Sequence, residues 1–186
     1  MTDTATHNPY APPSAIVADV APITSTPPFF AVSTLKLFAL SFCTFGLYEL
    51  YWFYKNWQLI KEREQTSIVP ALRALFGILF CYAFFSRVRD FDAPVANKSR
   101  LAAGPLAAAW IITSLTHKLP DPYWIGSLLA VLFLLPVQAR INAINLEVAP
   151  DHDPNSRFSA LNWVVVVLGT LFFALAILGL MLPDQP

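Results

Sequence analysis

The sequence predicts an all-α, polytopic transmembrane helical bundle of about five spans, preceded by a disordered amino-terminal tail. Three observations carry that expectation. Of the 186 residues, 56% are hydrophobic and only 13% are charged, where a soluble domain carries about 25% charge. Between residues 35 and 54 the only acid is Glu49, and at about 1.5 Å per residue those positions extend about 30 Å, the depth of a hydrocarbon core. Residues 162–182 contain no charged side chain at all.

Residues 1–28 form the expected tail. Pro9, Pro12, Pro13, Pro22, Pro27 and Pro28 interrupt it, and it contains no Lys or Arg. Such a segment cannot bury enough apolar surface to offset its ordering entropy. It also has no apolar stretch of the kind a secretory signal needs, so insertion is expected to depend on the first helix. The twelve basic residues balance twelve acidic ones, which gives no electrostatic footprint for nucleic acid. Cys43 and Cys81 both sit in apolar segments. They read as small fillers at helix contacts rather than as a disulfide or metal pair.

The first span is expected near 33–54. Lys36 should snorkel outward from its first turn, and aromatics crowd its second half up to Lys55 and Trp57, as at a membrane–water interface. Thr44 and Gly46 permit a break in mid-segment; if the chain turned back there, the number of spans would drop to four. Pro70 suits the first helical position of a second span near 70–87. A third is expected near 101–117, and a fourth near 122–139 with a kink at Pro136 and an amphipathic continuation to Val148. The last, 162–182, is followed by a short tail, 183–186. With five spans and an inside amino terminus, seven Lys or Arg fall inside against five outside, a weak positive-inside bias.

The aromatic segment resembles a known kind of protein. Thr44-x-Gly46-x-Tyr48-x-x-Tyr51-Trp52, followed by Tyr54-Lys55-Asn56-Trp57, resembles the first helix of small bacterial inner-membrane proteins classed as domains of unknown function. Pro70-x-x-Arg73-x-x-Phe76, Gln138-x-x-Ile141-Asn142-x-x-Asn145, Asn155-Ser156-Arg157-Phe158 and Asn162-Trp163 extend the resemblance over roughly 29–182. It implies a location in the bacterial inner membrane, and no activity, cofactor or catalytic residue.

Glu49 is the sharpest chemical feature. A carboxyl group inside a bilayer costs up to about 2.5–3.5 kcal/mol at a helix centre. It could belong to a proton or cation relay, but no second intramembrane acid accompanies it. A structural partner is expected instead, and Arg73 is that partner, placed by its position three residues after Pro70. Gln138, Asn142 and Asn145 share one helix face at i, i+4 and i+7. They could line a polar cavity or grip a lipid headgroup, but more often such amides join helices. Asp151-x-Asp153-x-Asn155 imitates the start of a calcium loop. It then lacks the Gly and the terminal Glu, which Ser156 and Asn162 replace, and reads as a turn with a helix cap. His7, His117 and His152 have no ligand spacing. No catalytic residue, cofactor or metal site is expected.

The function expected from these residues is that of a non-enzymatic scaffold or accessory component, acting in the bilayer through helix–helix contacts. Its partner would be another membrane protein or a second copy. Gly77 with Cys81, and Gly104 with Ala108, supply small-residue faces for such contacts. The alternative is a small transporter or channel in which Glu49 and the amide face converge on one path. A lipid-modifying enzyme is the remote third.

Overall fold

A computed structural model describes residues 26–93 and 101–181. The expected disordered tail, the connection centred on Pro94 and the short carboxyl-terminal tail lie outside the described residues, apart from Thr26, Pro27 and Pro28. Among the described residues every regular element is helical. They are α1 (Thr34–Cys43), α2 (Leu47–Glu64), α3 (Pro70–Leu75), α4 (Gly77–Arg89), α5 (Ala103–Leu115), a 3-10 turn (Thr116–Lys118), a 3-10 helix (Tyr123–Phe133), α6 (Leu135–Val148) and α7 (Ala160–Met181).

The expected first span is a helical hairpin. At the end of α1 the Gly46 N–H donates to the Ser41 carbonyl (2.8 Å) and the Phe45 N–H to the Phe42 carbonyl (3.2 Å). This is a Schellman cap with its left-handed residue at Phe45, φ 53°, and the following Gly46 is left-handed too, φ 86°. Two successive left-handed residues cannot continue a helix. Thr44 closes the turn from both sides: its hydroxyl donates to the Leu40 carbonyl (2.7 Å) and accepts from the Tyr48 N–H (2.9 Å). The Thr-x-Gly spacing is therefore a reversal signal. The result is antiparallel, since Phe30, ahead of α1, hydrogen-bonds Asn56 (3.0 Å) and packs on Tyr51 (5.7 Å between ring centroids), both in α2.

The expected second span turns back as well. Pro70 does open α3, as its fixed φ allows, but the helix ends at Phe76 (φ −96°, ψ 39°). Arg73 lies on Trp57 (4.4 Å from Cζ to the ring centroid). A Cβ at Gly77 would lie 3.8 Å from Phe53, so α3 runs antiparallel to α2. Phe84 then packs on Trp57 (5.9 Å) and Arg87 reaches Glu64 (3.3 Å). Over α4, then, the chain retraces its course in the sense of α2.

α5 rises past both hairpins, and Trp110 meets Glu49, Phe53 and Gly77. The chain turns beyond Lys118 and comes back through the 3-10 helix and α6 as one apolar rod, Tyr123–Val148. Pro136 falls in the first turn of α6, where its missing N–H is harmless. The 3-10 to α transition there replaces the expected kink. A loop then leads to α7, capped reciprocally: the Ser159 N–H donates to the Asn162 Oδ1 (3.1 Å) and the Asn162 N–H to the Ser159 Oγ (3.3 Å). α7 packs against α1, where Gly169 lies against the Cys43 backbone and Phe173 against Phe42 (5.2 Å).

Two helical rods, Tyr123–Val148 and Ala160–Met181, are long and apolar enough to cross a membrane. The expected spans 33–54 and 70–87 are not continuous rods, so the five-span count does not carry over to the structure. A helix of ten residues such as α1 is about 15 Å long, half a hydrocarbon core. The core between the hairpins and α6 is aromatic: Phe29, Trp52, Phe53, Trp57, Phe84 and Phe85 are fully buried and meet mostly edge to face.

Candidate functional site

Residues 28–32 belong to no regular element and pass between the start of α1 and the rest of the bundle, with Phe29 and Val32 completely buried. A buried segment outside any helix or sheet leaves its backbone groups to be satisfied by side chains. Five amide side chains and one guanidinium do so. Arg63 donates to the Pro28 carbonyl (2.6 Å). Asn145 holds Phe29 at both ends, accepting from its N–H (3.2 Å) and donating to its carbonyl (2.9 Å). Asn56 accepts from the Phe30 N–H (3.0 Å). Gln138 donates to the Phe30 and Val32 carbonyls (3.3 and 3.1 Å), and Asn142 to Val32 (3.0 Å). Asn155 donates to the Ala31 carbonyl (3.1 Å).

The face expected from the sequence at Gln138, Asn142 and Asn145 is therefore brought together on one target, residues 29–32 of the same chain. Gln138 is saturated: its carbonyl oxygen accepts from the Trp52 indole (2.6 Å) while its amide also donates to Asn142 (2.8 Å). Asn56, Asn155 and Arg63 complete the clamp and were not singled out in the sequence for that role. Asn56 is bracketed by the aromatics of α2 and reads as an interface residue. Asn155 reads as part of the calcium look-alike. What unites them is distance in space, which no spacing along the chain reveals.

Lys36 is buried rather than snorkelling. Its ammonium donates to Asn155 Oδ1 (2.8 Å) and to the Arg157 carbonyl (2.9 Å). This bond pulls the loop after α6 over the start of α1. The acid-rich turn ahead of it is an Asx turn, Asn155 N–H to Asp153 Oδ1 (2.8 Å). Among the described residues no group of three or more His, Cys, Asp or Glu side chains could hold a metal.

Glu49 and Arg73, expected as an ion pair, have different partners. Glu49 is buried, and its carboxyl accepts from the Trp110 indole N–H (2.8 Å). Arg73 lies over Trp57 and over Phe80 (5.2 Å), and no carboxylate is within 4 Å of it among the described residues. The reason is the hairpin at Phe76, which turns α3 so that Arg73 meets Trp57, two turns along α2 from Glu49. None of the clefts among the described residues joins Glu49 to the amide face. The clefts beside Tyr54 and Thr66 (about 550 Å³), beside Pro28 and Phe91 (about 350 Å³) and in the 153–157 loop (about 460 Å³) are lined by none of them.

Around this site the charges gather. Arg63 covers the Phe29 and Phe91 rings (4.8 and 5.1 Å), and partial burial lowers the pKa of its guanidinium from the usual value. Arg89 forks onto Asp90 (2.7 and 2.8 Å), which holds that carboxyl below the ordinary carboxylate range. No protein-family model matches the chain, and neither a curated protein nor a solved structure matches it.

Proposed function

We propose that this chain is an integral protein of the bacterial inner membrane that acts, without catalysis, as an anchoring scaffold. The observation that carries the reading is the amide clamp. Asn56 of α2 and Gln138, Asn142 and Asn145 of α6, which could line a transport path, are spent on holding residues 28–32, and Glu49 is taken up separately by the Trp110 indole. Residues 28–32 are thereby held at a fixed point of the bundle, and a bundle that spends so many side chains on holding one segment suits an anchoring scaffold. The aromatic first helix and its resemblance to small inner-membrane proteins support the location.

In this reading the Tyr123–Val148 rod and α7 cross the bilayer, α5 crosses beside them with the 3-10 turn that continues it to Lys118, about 25 Å in all, and the α1–α2 and α3–α4 hairpins dip into the bilayer from one face and return. That arrangement puts nine of the described Lys and Arg residues in the half of the molecule holding the clamp, and Lys118 alone at the other end. An excess of that size assigns the clamp end to the cytoplasm by the positive-inside rule. The scaffold reading is tested by crosslinking and purification of the full chain in mild detergent. A stable partner or a defined self-association is expected; a lone monomer at membrane concentrations of protein would refute it.

A further inference from the structure

At the end of the α3–α4 hairpin two cations share one aromatic surface. The Arg73 guanidinium lies 4.4 Å from the Trp57 ring centroid and Arg87 lies 5.3 Å from it. Arg63 is close by, and among the described residues Glu64 is the single carboxylate paired with the group: it contacts Arg87 at 3.3 Å and Arg63 at 3.6 Å. Three guanidiniums against one carboxylate leave an excess of positive charge. The excess centres on Arg73, whose five N–H donors find no protein acceptor among the described residues. A guanidinium fixed by stacking but without an acceptor is a preorganised fork for a phosphate or carboxylate.

The surroundings narrow the ligand. Leu72, Leu75, Phe76 and Leu79, on the same hairpin, are all more than half exposed. Phe76 is one turn from Arg73 and so shares its face. A bidentate cation beside these exposed apolar side chains matches a molecule with an anionic phosphate at one end and hydrocarbon at the other.

We propose that Arg73 and Arg87 bind the phosphate of an anionic phospholipid, with its acyl chains along the outer face of the α3–α4 hairpin. Trp57 and Phe80 hold the Arg73 fork in place, and Glu64 restrains Arg87 without neutralising Arg73. The site rests on the membrane placement above, at the depth where headgroups lie on the cytoplasmic side.

The test is native mass spectrometry and thermal unfolding of the full chain in mild detergent, with phosphatidylglycerol, phosphatidylcholine or inorganic phosphate added. Retention of phosphatidylglycerol in preference to phosphatidylcholine is expected, with a rise in Tm. Arg73→Gln should reduce that retention about tenfold, as for loss of a charge-assisted bidentate contact, and Arg73→Lys should restore part of it. Equal retention of the two lipids by the wild-type chain would overturn the proposal, whatever the variants do. So would unchanged retention in Arg73→Gln, or a Tm rise reproduced by inorganic phosphate alone. Carbonate-washed membrane fractionation reads the placement separately: a chain that stays in the membrane yet retains no anionic lipid refutes this site and leaves the placement standing.

Discussion

At the scale of single residues, the partner decides what a buried polar group is worth. Glu49 satisfies its carboxyl through the Trp110 indole. Trp110→Phe keeps the ring and deletes the donor, and should destabilise the protein by about 1–3 kcal/mol, the cost of leaving a buried acceptor unmade. Glu49→Gln should couple strongly with Trp110→Phe and add to Arg73→Gln within about 0.5 kcal/mol. A thermal or denaturant double-mutant cycle reads both. Strong coupling of Glu49 with Arg73 would revive the ion pair that the structure does not form. In the clamp, Asn145→Leu leaves both the N–H and the carbonyl of buried Phe29 without a partner. A loss of about 1–3 kcal/mol for each group is expected, measurable as a lower unfolding midpoint.

At the scale of elements, two glycines do opposite things. Gly46 supplies a left-handed φ of 86°, and a Cβ there would meet nothing within 4 Å. Gly46→Ala should therefore cost only the conformational penalty, about 1–2 kcal/mol, with the α1–α2 hairpin intact. Gly169 has an ordinary helical conformation but no room, because a Cβ would collide with the Cys43 carbonyl. Gly169→Leu should detach α7 from α1. A cysteine crosslink between positions 42 and 173, whose rings now touch, would then be lost while helix content by circular dichroism stays constant. A crosslink formed at the wild-type rate would show that α7 does not need that close approach. The hairpin turn itself was legible in part: Thr44 and Gly46 mark a break. Whether the break is a kink or a reversal depends on the left-handed Phe45, a state an aromatic rarely adopts and which no sequence rule assigns to it.

For the whole molecule, the fold predicts sidedness. A reporter active only in the cytoplasm should work when inserted at residue 67, between the hairpins, and a periplasmic reporter should work after Met181. The opposite result at residue 67 would mean that the first hairpin crosses the bilayer after all.

The helical class, the apolar rods and the shared face of Gln138, Asn142 and Asn145 were legible along the chain, because hydrophobic run length and helical spacing are local properties. Pro70 at a helix start and the capped turn before α7 were legible for the same reason. The tertiary structure decided the rest. It turned two expected spans into hairpins, moved Glu49 from Arg73 to Trp110, buried Lys36 under the 149–159 loop and gathered Asn56, Asn155 and Arg63 around residues 28–32. Each of those outcomes depends on groups far apart in sequence: Asn145 lies 116 residues from Phe29, and Arg157 lies 121 from Lys36. An irregular segment inside a helical bundle takes whichever donors and acceptors packing brings to it, and that choice exists only once the helices have met.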